Sequence, residues 1–215
     1  MGLPLEPRLP DFKLPNWPER LTQRLNELLR QWAAVIRPWI GPSWEDLRFP
    51  AQGINPAGTA APPSVDQTTF PGTLIFSGSA ENIIAGVAQL PHSWQEGGDI
   101  RPHVHWFKAA ADAAGNGVTW EYRHSRCAIG AVAEAYISWQ PATLVAGDLT
   151  TQYKHNISSF GSFAMTGFGA SDMVMWQVRR LGNTDSATTA CHLMEFDYHY
   201  QLGQVGTDNK QEYPT

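Results

Sequence analysis

The chain has 215 residues, enough for one substantial domain and an appendage, with 42% hydrophobic residues, 11% aromatics and only 16% charged residues. A net charge of −5 argues against nucleic-acid binding, because phosphate recognition needs clustered Lys and Arg. With 19 Gly and 16 Pro, the composition favours short strands and turns over a helical bundle.

Residues 1–16 repeat a Leu-Pro step at Leu3-Pro4, Leu9-Pro10 and Leu14-Pro15. Proline fixes its own φ and pushes the preceding residue towards extended backbone, so an extended arm is expected here. Leu3, Leu9, Phe12, Leu14 and Trp17 are its candidate anchors on a partner chain. The same prolines interrupt any apolar signal segment, and no run approaches the ~20 apolar residues of a membrane span. A product made in a cytoplasm, with no membrane partner, is expected.

Asn16-Trp17-Pro18-Glu19 has the residues of a helix start, and Pro38 and Gly41-Pro42 those of a stop. An amphipathic helix is therefore expected within 17–43. Leu21, Leu25, Leu28, Trp32, Val35 and Trp39 repeat at 4-3-4-3-4, the spacing of an association seam. A helix packed on its own domain would show the same pattern. The bulk of the tryptophans favours a trimer over a tight dimer.

Residues 44–72 read as a connector rich in Pro, Gly and Ala, with a possible short strand at Trp44–Phe49. From 73 to 215 the pattern is β. Strands are expected at Thr73–Phe76, Ile83–Leu90, Ile100–Lys108, Val118–Ile129, Ala135–Trp139, Gln152–Ser158, Met173–Arg180 and Ala190–Leu202, separated by Gly- and Asn-containing turns. The fold class is mainly β: an antiparallel jelly-roll-like sandwich preceded by the Pro-rich arm and one α-helix. Strict alternation in the last strand puts His192, Met194, Phe196, Tyr198, Tyr200 and Leu202 on the core face. Trp94, Trp106, Trp120, Trp139 and Trp176 are expected to pack in the core. Cys127 and Cys191 lack metal-type spacing and read as small buried residues.

The chemistry-bearing candidates lie around Gln89–Trp106. Alternation turns Ile100, Pro102, Val104 and Trp106 inward and Arg101, His103, His105 and Phe107 outward. Gly97 and His-x-His reproduce the opening of the first cupin motif, but Ala109 and Ala110 stand where its Glu belongs. If the last strand lies beside this one, Glu195, Asp197 and His199 face His103 and His105, a donor set that Zn²⁺ or Fe²⁺ accepts. Solvated faces and subunit contacts carry such residues more often, so the expectation is no metal and no cofactor, with His103, His105, His199 and Glu195 as the residual candidates. His92 reads as a loop-holding histidine. Nucleophile elbows, Walker loops and dinucleotide fingerprints are absent from the sequence.

Trp44-Glu-Asp-Leu-Arg-Phe-Pro, Gln89-Leu-Pro-His-Ser-Trp, Asp99-Ile-Arg-Pro-His-Val-His-Trp, Glu195-Phe-Asp-Tyr-His-Tyr and Lys210-Gln-Glu-Tyr together resemble a group of tailed-bacteriophage virion proteins, over roughly residues 44–215. The resemblance implies a non-enzymatic structural protein, a capsid decoration or a neck or tail-fibre component. Such a protein would be located in the virion, with capsid or neck and tail proteins as partners of the arm and a homo-oligomer, a trimer by preference, as its assembly. It brings no catalytic residues. A carbohydrate- or receptor-binding module and a cupin-like metalloenzyme are the alternative readings.

Overall fold

The computed structural model describes residues 18–36, 43–58, 62–142 and 149–203, with the side chains of 33–36 excepted. The chain divides into two compact units, Met1–Ser43 and Trp44–Thr215.

In the first unit, helix α1 spans Glu19–Ile36. Pro18 sets its start: the Pro18 carbonyl accepts from the amides of Leu21 (2.8 Å) and Thr22 (3.2 Å), and Glu19 supplies negative charge to the first turn. Leu21, Leu25, Leu28 and Trp32 lie on one stripe of the helix, as i, i+4, i+7 and i+11 positions must. Leu21, Leu28 and Trp32 are 50%, 52% and 67% exposed. The Val35 side chain and Trp39 lie outside the described residues, as do the arm positions Leu3, Leu9, Phe12, Leu14 and Trp17. No helix among the described residues is long and apolar enough to cross a membrane.

The second unit is an antiparallel jelly-roll-like sandwich of two sheets. Its strands are β1 (Trp44–Pro50), β2 (Asn55–Ala57), β3 (Ser64–Val65), β4 (Leu74–Phe76), β5 (Glu81–Gln89), β6 (Asp99–Lys108), β7 (Trp120–Cys127), β8 (Gln140–Pro141), β9 (Asn156–Ser159), β10 (Phe163–Ala164), β11 (Met173–Leu181) and β12 (Cys191–Gln201). In sheet 1, β12 lies between β6 on one side and β1 and β4 on the other; β9 and β10 continue beyond β6, and β3 beyond β4. Sheet 2 runs β2-β5-β11-β7-β8.

Alternation builds the core. From sheet 1, Ile100, Val104, Trp106, Phe196 and Tyr198 point inward; from sheet 2, Ile84, Trp120, Tyr122, Val174, Trp176 and Val178 meet them. Trp176 lies 4.3 Å from Phe196 between ring centroids, Phe76 lies 4.9 Å from Trp120, and the Tyr122 and Tyr198 hydroxyls pair at 3.0 Å. Gly86 is required by this packing: a Cβ there would come 2.3 Å from the Trp176 ring. One buried cation is fully caged at the sheet end. Arg180 pairs with Asp185 and donates to the carbonyls of Phe76 (3.2 Å), Ala187 (3.0 Å) and Thr189 (2.9 Å).

Four sequence expectations need correction. Residues 44–72 are not a connector: β1, β2 and β3 belong to the two sheets, and Ala51 is buried in the core. Ala135–Trp139 forms no strand; it runs along β7 through Ile137 N–H to the His124 carbonyl (2.9 Å) and Glu134 N–H to the Arg126 carbonyl (2.8 Å). Trp139 is not a core residue but stacks between the guanidinium groups of Arg123 (4.3 Å) and Arg179 (4.2 Å) on the outer face of sheet 2. Strict alternation fails in β12 because the register shifts between Leu193 and Glu195, a bulge at Met194. Cys191 and Leu193 therefore turn inward with Phe196, and His192 turns to the other face. Both cysteines are free; Cys191 is buried and Cys127 half-buried.

Candidate functional site

The outer face of sheet 1 gathers most of the titratable chemistry. On β6, Arg101, His103 and His105 alternate outward; on β12 the bulge resets the phase so that Glu195, Asp197 and His199 share that face. The ladder sets Asp197 opposite His103, Glu195 opposite His105, and His199 opposite Arg101. On the far side of β12, β1 brings Asp46 opposite His199 and Arg48 opposite Asp197.

At the centre, Asp197 is enclosed by two imidazoles: His103 Nε2 is 2.7 Å from Oδ1 and His105 Nε2 is 3.2 Å from Oδ2. The Asp197 side chain is 3% exposed, His103 9% and His105 21%. Burial opposes the Asp197 charge, but the two imidazoles outweigh it and hold the carboxyl below the usual range. Burial likewise opposes protonation of His103, yet Asp197, the Arg101 carbonyl and Asp46 outweigh it and raise the imidazole.

The row continues in both directions. His105 Nδ1 lies 2.8 Å from His155 Nε2, and burial followed by the His105 charge depresses His155. On the other side the His103 and His199 rings are 4.9 Å apart, and His199 Nε2 reaches Asp46 at 2.6 Å. Trp44 closes this end, with the Arg101 guanidinium over its ring at 4.3 Å. At the opposite end of the face His192 stacks on Phe107 at 5.0 Å, and Phe70 packs on Phe107 at 4.7 Å.

All four residual metal candidates lie on this face, but they are not equivalent. Glu195 is held by the Arg48 guanidinium in a two-pronged pair, which takes its oxygens away from His105. Asp197, not Glu195, is the carboxylate between the histidines. Two further sets of side chains could hold an ion, His103 with His105 and Asp197, or Asp46 with His103 and His199. Sequence reasoning missed Asp46 and His155. Asp46 was recoverable, since Asp46 and Arg48 alternate in a segment readable as a strand; His155 follows an irregular stretch ending in the positive-φ residue Tyr153 (φ 59) and had no periodic signal. His92 does hold a loop, through Nε2 to the Ser171 hydroxyl at 3.0 Å.

A scan against protein-family models and a search of curated proteins found no match. Among solved structures, the chain is similar to the CBM22-1 xylan-binding domain from Paenibacillus barcinonensis Xyn10C, with 12% identity over 76% of this chain and 99% of that one, at a TM-score of 0.40. It is also similar to the CBM22-1 and GH10 modules of the Clostridium thermocellum endo-1,4-β-D-xylanase 10B, with 9% identity over 77% of this chain and 29% of that one, at a TM-score of 0.38. The third is the enzymatically active domain of tailspike protein 4 of bacteriophage CBA120, with 9% identity over 74% of this chain and 19% of that one, at a TM-score of 0.34. The chain thus spans under a third of the xylanase and about a fifth of the tailspike chain, and no residue or activity is carried over from any of them.

Proposed function

We propose that this chain is a non-enzymatic structural protein of a tailed-phage virion, attached through its N-terminal unit and presenting the β-sandwich outward. The observation that carries the reading is the apolar stripe of α1. Leu21, Leu28 and Trp32 stand exposed on a helix that belongs to a different unit from the sandwich core. Leaving half or more of each side chain in water forgoes about 1–2 kcal/mol per large side chain, a deficit that association removes. The spacing suits copies of the same helix, so the seam joins subunits while the leucine-proline arm lies on a neighbouring capsid, neck or tail protein.

The presented surface is the outer face of sheet 1. Its Trp44, Arg101, His199 and Asp46 form a half-exposed aromatic and charged patch, suited to contact with a host receptor or glycan. Particles assembled with a chain lacking residues 1–43 test the attachment. The truncated protein is expected to be missing from purified particles while keeping a β-type circular dichroism spectrum. Incorporation at the level of the full chain contradicts the reading.

A further inference from the structure

The centre of the sheet 1 face brings two imidazoles to one buried carboxylate. His103 Nδ1 lies 3.3 Å from the Arg101 carbonyl, and the tautomer that donates there leaves Nε2 free to ligate. That nitrogen sits 2.7 Å from Asp197 Oδ1, and Oδ1 is buried without an aligned donor. Two lone pairs at this separation repel unless a proton or a metal ion lies between them. His105 Nε2 approaches the second oxygen of the same carboxylate at 3.2 Å, and one ligand atom from each of the three residues falls within 4.8 Å of the others.

We infer that His103 Nε2, His105 Nε2 and the Asp197 carboxylate bind a divalent first-row transition metal ion of the Zn²⁺ class. The backbone presents them for it. His103 and His105 are i and i+2 on β6, so both rings leave the same face roughly 7 Å apart at Cα, and Asp197 lies directly across the ladder from His103. Two imidazoles select against Mg²⁺ and Ca²⁺, which take oxygen ligands. Bonds of about 2.0–2.2 Å separate adjacent ligand atoms by roughly 3–3.5 Å, so the His105 side is already spaced and the His103 side opens by a few tenths of an ångström. The outer partners that orient ligand imidazoles are in place: the Arg101 carbonyl on His103 and the His155 ring, 2.8 Å away, on His105. The alternative trio of Asp46, His103 and His199 is the weaker set, because Asp46 and His199 are exposed and paired with each other at 2.6 Å.

Three protein ligands leave at least one coordination position open. It lies towards His105, the most exposed of the three, where a water or an oxygen of a bound partner can enter. The site is wholly within the sandwich and is independent of the attachment role proposed for the N-terminal unit.

The test uses the full-length chain, stripped with chelator and titrated with Co²⁺ and then Zn²⁺. One equivalent of Co²⁺ per chain should give saturable visible d–d absorption that Zn²⁺ displaces. His105→Gln and Asp197→Asn should weaken Zn²⁺ binding by about 100-fold or more, whereas His199→Gln should change it less than about threefold. If His103 and Asp197 form only an imidazolium–carboxylate pair, the wild-type chain gives no saturable Co²⁺ spectrum, and the inference is overturned whether or not the variants fold. Loss of binding in His199→Gln with retention in His105→Gln overturns the ligand set.

Discussion

His124 shows how far one buried ring can be driven from its ordinary behaviour. It lies on the inner face of β7, against Tyr122 (5.5 Å between centroids) and edge-on to Phe163 (5.2 Å), with Nδ1 buried and unpaired. Burial, helped by the Arg126 charge, pushes it down to about 4. The unfolded chain takes up this proton near pH 6.5 and the folded chain only near 4, so the stabilisation is complete above about 6.5 and is lost as pH falls towards 4. The loss is on the order of 3 kcal/mol. In urea melts at stepped pH the wild type should therefore lose more stability towards acid than His124→Phe does; parallel curves contradict it. The outward set of His103 and His105 was legible at this scale, because period-two alternation needs no knowledge of the partner strand. Glu195 could not be told from Asp197 in the same way, since Arg48 decides between them and it comes from a strand about 150 residues away in sequence.

At the scale of elements, long alternating strands such as β6, β11 and β12 were readable, and short or irregular ones were not. β8 and β10 have two residues each, too few for any period. Residues 44–72 carry Pro, Gly and Ala that suggest a linker, yet β1 pairs along seven residues of β12, a tertiary choice that local composition does not encode. The bulge was invisible because Cys191-His-Leu-Met-Glu-Phe contains no Gly or Pro to mark it. Met194 is its extra residue, so removing it leaves Cys191, Leu193 and Phe196 inward and Asp197 outward. Deleting Tyr198 instead, away from the bulge, sends the residues on one side of the gap to the wrong faces. Deletion of Met194 should cost no more than about 2 kcal/mol and retain cooperative urea unfolding, while deletion of Tyr198 abolishes it. Equal damage from both deletions would contradict the register.

At the scale of the whole molecule, the division of labour follows from where apolar surface is satisfied. The sandwich closes its own core from residues 44 onward, whereas α1 exposes its stripe. Association through the N-terminal unit is the central claim. It is tested most directly by light-scattering mass in solution, comparing the full chain with a chain beginning at Trp44. The account predicts three times the 23.8 kDa chain mass for the full protein and a monomer for the truncated one. A monomeric full chain, or the same oligomer from both, would contradict it.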